Sequence, residues 1–97
     1  MQVMIRYKVK RDQVERNVQL VHAFFEELAS AQPDGVRYAA FQLEDDVSFV
    51  HFVETAAGPG SFARLATYQR YRSTVEARCD EPPVLTEIQE IGAYRFR

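Results

Sequence analysis

The eight residues Val47-Ser48-Phe49-Val50-His51-Phe52-Val53-Glu54 constrain the fold more than any other stretch. They are mostly β-branched or aromatic, with no Gly or Pro among them, which is a strand signal. Alternation puts Val47, Phe49, His51 and Val53 on one face and Ser48, Val50, Phe52 and Glu54 on the other. Both sets contain apolar side chains, and a strand that is apolar on both sides is central and covered on both. A chain of 97 residues is expected to form a single domain over residues 1–97. One sheet backed by two helices covers only one of its faces, so the second face calls for a partner.

Residues 2–10 alternate with period two, with Val3, Ile5, Tyr7 and Val9 on a core face and Met4, Arg6, Lys8 and Lys10 opposite. Arg6 and Lys8 read as solvated or as cross-strand partners of acidic residues. Asp12 with Glu15 resembles a capping box. Val14, Val18, Val21, Phe25 and Leu28, widened by Leu20 and Phe24, form a helical stripe that predicts a helix to about Ala31, ended by Pro33-Asp34-Gly35. His22 and Glu26 sit off that stripe as an i,i+4 surface pair. Val36–Glu44 reads as a second strand, joined to the third by a turn at Glu44-Asp45-Asp46. Ala56–Gly60 is a loop, with a lid or pocket mouth as its functional alternative. Ser61 and Thr67 are placed to cap a broken second helix, with Phe62, Leu65, Tyr68, Tyr71 or Arg72, and Val75 inward and Cys79 at its end. Asp80-Glu81-Pro82-Pro83 is expected to break the chain. Val84–Ile91 then makes a fourth strand, with a bend at Gly92, and Glu87 and Gln89 could pair with Arg6 and Lys8 if they share a face.

The order strand, helix, strand, strand, helix, strand is the α+β, ferredoxin-like split βαβ plan (βαββαβ), a four-stranded antiparallel sheet with two helices on one face. Its open face would carry Met4, Val50, Phe52, Phe41 and Leu43, a patch suited to a homodimer interface between two such sheets. A net charge of −2 argues against nucleic acid as the main partner. No apolar run is long enough for a membrane span, and no secretory leader is evident, so a cytoplasmic location is expected. The lone Cys79 fits a reducing compartment. His22, His51 and Cys79 lack metal-ligand spacing, so no metal and no cofactor are expected.

The plan, the length, the Phe-Val-x-Phe-Val-Glu run at 49–54, the broken second helix with its aromatic residues and the long fourth strand resemble the dimeric α+β barrel superfamily, and within it the antibiotic biosynthesis monooxygenase-like proteins. The resemblance covers residues 2–96. It implies a homodimer with a small-molecule pocket between helices and sheet in each subunit. It also implies, for some members, oxidation of quinols or polycyclic aromatics without metal or cofactor. The chain departs from the family pattern at two places. It has Thr55 where many members carry Trp and Thr67-Tyr68 where many carry His-Phe, and it has no Trp. The Asn, Trp and His set of the haem-degrading relatives is missing, which excludes haem degradation.

On that alignment Phe49, His51, Val53 and Thr55 face the helices and any pocket. A histidine on a central strand needs partners for both ring nitrogens. His51 therefore reads as a satisfied core residue bonded to a tyrosine or the backbone, as a general base of near-neutral pKa for a phenolic proton, or as part of the dimer face. As the base, its replacement by Ala is expected to abolish turnover and leave the fold intact. Phe24, Tyr38, Phe49, Thr55, Tyr68 and Tyr71 are candidate substrate-binding residues for an apolar or aromatic ligand, and Tyr7 is a further candidate wall. The alternative function is a non-catalytic homodimer that binds a small ligand or assembles. An RNA-recognition domain shares the element order, but Asp45-Asp46 stand where its third-strand motif needs a basic start.

Overall fold

Alternation in the first residues becomes β1 (Gln2–Val9), with Val3, Tyr7 and Val9 buried. The computed structural model describes residues 1–56 and 60–96. After β1 the chain tightens into a 3-10 turn at Arg11–Gln13 and enters α1 (Val14–Ala31). The capping box expected at Asp12 does not form, because Asp12 lies inside the 3-10 turn and neither helical start carries a side-chain cap. α1 ends where Gln32 turns left-handed and its N–H reaches the Leu28 carbonyl, one residue before the proline. His22 and Glu26 are both exposed and make no ion pair with each other.

Gly35 opens the next strand at φ +70°, and a Cβ there would come within 3.0 Å of the Ala56 side chain. The position therefore needs glycine for its conformation and for the close approach alike. β2 (Val36–Gln42) and β3 (Ser48–Thr55) form the expected hairpin. The Asp45 carboxylate organises its turn by accepting the Val47 and Ser48 N–H groups and the Ser48 hydroxyl. These bonds hold the Asp45 pKa below the ordinary carboxylate range.

The second helical region is broken, as the sequence suggested, into α2 (Gly60–Ala63) and α3 (Ala66–Arg78). Thr67 is not the N-cap. The cap position is Leu65, and the Glu27 carboxylate of α1 accepts both the Thr67 N–H (3.1 Å) and its hydroxyl (2.6 Å). A neighbouring helix thus supplies the anion that the start of α3 favours. Residues 57–59, which include most of the expected lid, lie outside the described residues.

The fourth strand begins earlier than the sequence suggested. β4 (Cys79–Glu87) runs straight through Pro82 and Pro83. The sheet order β2-β3-β1-β4 makes β4 an edge strand, where proline is tolerated, and register shifts against β1 accommodate the pair. Residues 88–96 are irregular rather than strand. Glu87 pairs with Val3 and so shares the helix-side face, while Lys8 finds Glu81 at 3.8 Å. The expected cross-strand pairing of Lys8 holds with a different acid.

The sheet is antiparallel, with β3 and β1 at its centre. Val47, Phe49, His51, Val53 and Thr55 are buried on the helix side. The opposite face presents Phe52, 37% exposed, and Val84, 62% exposed, with Phe41 packed edge-on to Phe52.

Candidate functional site

A continuous polar chain runs through the apolar core between helices and sheet. The register of β1 against β3 sets Tyr7 beside Phe49 and Ile5 beside His51, so the Tyr7 ring stacks on Phe49 and its hydroxyl reaches His51 Nε2 at 2.9 Å. β2 brings the Tyr38 hydroxyl to 2.9 Å from His51 Nδ1. Both imidazole nitrogens are therefore occupied, and His51 is only 1% exposed. On the far side, Asn17 of α1 donates its amide to Tyr7 Oη at 3.0 Å. Its Oδ1 accepts from Arg78 Nε and Nη2 at 3.2 and 3.0 Å. Arg78, the last residue of α3, also donates to Thr74 Oγ1 and to the Tyr71 carbonyl, with its guanidinium over the Tyr71 ring.

Burial decides the protonation states. Desolvation pushes the Tyr7, Tyr38, Tyr68 and Tyr71 hydroxyls above the ordinary phenol range, so all remain protonated. Desolvation likewise pushes His51 down to about 4, not the near-neutral value expected of a general base. Among these groups only Arg78 carries charge. The arrangement orients neutral hydrogen bonds rather than storing a titrating proton.

The unfolded His51 binds a proton near pH 6.5, whereas the folded one does so only near 4. The unfolded chain therefore takes up more protons in this window, and stability falls as pH drops through it. The full effect is about 3 kcal/mol. The depressed carboxylates of Glu27, Asp45 and Glu54 stay ionised in both states above pH 5 and titrate below that point. Urea unfolding at pH 7 and pH 5 is expected to show the loss in the wild type and little of it in His51→Phe.

The residues singled out in the sequence are largely brought together. Phe49 stacks on Tyr7, and Tyr71 lies nearly parallel to His51 at 5.7 Å. Tyr38 is edge-on to Phe24, Phe25 and Phe62, and Phe24 also meets Tyr68. Thr55 ends the row on β3, 3% exposed, with no hydrogen-bond partner for its hydroxyl among the described residues. Asn17 and Arg78 were missed, although their spacing marks them. Asn17 falls three residues after Val14 and four before Val21, and Arg78 falls three after Val75.

Among the described residues, cavities lie on both sides of the sheet. One of about 300 Å³ lies between the end of α1 and β2, lined by Phe25, Leu28, Ala29, Pro33, Val36 and Tyr38 among others. A larger one of about 500 Å³ lies on the other side of the sheet, where Phe41 and Phe52 meet Ile88, Tyr94 and Phe96 of the terminal segment. Tyr38 lines both cavities, and His51 lines neither. Among the described residues no cluster of three or more His, Cys, Asp or Glu is placed to hold a metal, and no helix is long and apolar enough to cross a membrane.

No protein-family model and no curated protein matches the sequence. Solved structures do match. A Mycobacterium tuberculosis protein is 19% identical over 95% of each chain with a TM-score of 0.76. A Nitrosomonas europaea protein with a proposed identity as an antibiotic biosynthesis monooxygenase is 20% identical over 93% of this chain and 88% of its own, with a TM-score of 0.77. Another from the same organism, of unknown function, is 18% identical over 96% and 90% with a TM-score of 0.71. At these identities the likeness establishes the fold alone. The chain has the α+β, ferredoxin-like fold of the antibiotic biosynthesis monooxygenase-like structures.

Proposed function

We propose that this protein is a homodimeric, cofactor-independent monooxygenase acting on a quinol or polycyclic aromatic substrate, with the Tyr38 hydroxyl as the group that meets the substrate oxygen. One observation carries this reading. Tyr38 is the residue of the buried polar chain that also borders the cavity between α1 and β2. That cavity is of mixed polarity, with aromatic side chains from Phe25 and Tyr38 beside Gln32, and its volume of about 300 Å³ is at the lower end for small-ligand sites. A protonated phenol held in an apolar surround donates strongly to an oxygen that gains negative charge, which favours the electron-rich form of the substrate that reacts with oxygen. An anthrone shows the balance. Its CH₂ carbon becomes a carbonyl, one atom of O₂ enters the ring system, and the other leaves with the two hydrogens as water.

In this reading His51 positions Tyr38 and does not act as the base. An imidazole with a pKa of about 4 is a poor acceptor for the proton of a phenol near 10. Thr55 lines neither cavity, and its buried hydroxyl has no hydrogen-bond partner among the described residues. Leaving that hydroxyl unpaired costs about 1–3 kcal/mol. Thr55→Val is therefore expected to raise the unfolding free energy by about 1 kcal/mol in urea titrations.

The open sheet face, with Phe52 and Val84 exposed, supports pairing with a second copy of the chain. Metal-free protein assayed in an oxygen electrode with anthrones and naphthoquinols is expected to consume one O₂ per anthrone converted, unaffected by chelator. A second reading, a non-catalytic ligand-binding homodimer, is favoured by the complete burial of His51 with both nitrogens taken. It predicts no uptake above the uncatalysed rate, yet a saturable thermal shift with an aromatic ligand.

A further inference from the structure

We infer that Asn17 and Arg78 are positioning residues that fix which nitrogen of His51 carries the proton, through the hydrogen-bond chain Arg78–Asn17–Tyr7–His51–Tyr38. The direction of the chain is set at its charged end. Arginine has donors and no acceptor. Its Nε and Nη2 must therefore meet the carbonyl oxygen of Asn17, which turns the Asn17 amide nitrogen to Tyr7. Tyr7 Oη accepts that bond and has its own proton to give to His51 Nε2. A neutral imidazole that accepts at Nε2 carries its hydrogen at Nδ1. Nδ1–H then donates to Tyr38 Oη, which leaves the Tyr38 proton uncommitted.

The order starts from Arg78, which cannot accept, and it requires the Tyr71 hydroxyl to donate to Tyr7 Oη, so that the Tyr7 proton is left for His51. The first four members, from Arg78 to His51, are buried. Asn17 is 0% exposed, Arg78 4%, Tyr7 2% and His51 1%, so water cannot reverse the order. Resting on the function proposed above, the uncommitted Tyr38 proton is the one offered to substrate. Arg78 and Asn17 would thus act on chemistry at the other end of the core without touching the ligand.

The test is the tautomer of His51, read from two-bond ¹⁵N–¹H correlations of the full chain. The wild type is expected to show a single neutral Nδ1–H form. In Asn17→Asp, one carboxylate oxygen keeps Arg78 and the other accepts the Tyr7 proton. Tyr7 must then accept from His51, the hydrogen moves to Nε2, and Tyr38 donates to Nδ1. A switch to the Nε2–H form in Asn17→Asp, with the sheet resonances retained, is the expected outcome. A wild-type Nε2–H form, or a folded Asn17→Asp with the tautomer unchanged, would overturn the inference. If Asn17→Asp does not fold, Arg78→Met serves instead. With Arg78 gone the Asn17 amide can flip, so two tautomers are expected, and a single unchanged Nδ1–H form would contradict the inference. The readout needs no substrate, so it stands or fails separately from the oxygen-uptake assay.

Discussion

His51→Ala will lower the unfolding free energy by about 4 kcal/mol, the range seen when a large buried ring is removed from a core. The ring is stacked against Tyr71 and edge-on to Tyr7 and Tyr38. Its loss leaves a void and strips a partner from both the Tyr7 and the Tyr38 hydroxyls. Each unpaired buried hydroxyl adds a cost of about 1–3 kcal/mol, reduced wherever the void admits water. A small domain holds only about 5–15 kcal/mol in total, so the variant will be marginal at best. Urea unfolding measures this directly, and a loss below about 1 kcal/mol would show that the network is not the anchor described here. From the sequence, an intact fold was expected of this variant. The difference is physical, because a histidine bonded on both sides in the middle of the core carries stability as well as any chemistry.

Tyr38→Phe will have the second largest effect, on function rather than folding. The ring and its edge-on contacts with Phe24, Phe25 and Phe62 are kept, and only Oη is lost. Removing a donor that meets a substrate oxygen costs about 1–3 kcal/mol, or roughly 5- to 150-fold in affinity or turnover. Stability should fall by about 1–2 kcal/mol, from the His51 Nδ1 bond left unmade. Titration of an aromatic ligand and oxygen uptake by the variant test this together. An unchanged affinity with unchanged uptake would move the site away from Tyr38.

The sheet was legible in the sequence because its signal is local. The two-sided apolarity of residues 47–54 placed β3 at the centre, and the alternation of residues 2–9 placed Tyr7 inward. β4 was misplaced because Pro82 and Pro83 signal a break unless the strand is known to be an edge. That is tertiary information. Thr67 looks like a cap in the sequence for the same reason, since the Glu27 carboxylate that serves it comes from 40 residues away. The inward face of Phe49 and His51 was expected from the family alignment, and the structure sets Tyr38 and Tyr71 against His51 while Phe24 packs against Tyr38 and Tyr68. Asn17 and Arg78 were not expected there, since polar side chains on a helix are read as solvated until a buried partner is seen. Their places on the apolar stripes of α1 and α3 were the available signal.

The proposal that a flat, oxygen-bearing aromatic ligand meets the Tyr38 hydroxyl is tested most directly by a crystal structure of the protein soaked with an anthrone or naphthoquinol. The ligand is expected against Phe25 and Leu28 in the cavity between α1 and β2, with one oxygen about 2.7–2.8 Å from Tyr38 Oη. A ligand found only on the opposite side of the sheet, against Phe41 and Phe52, would contradict it.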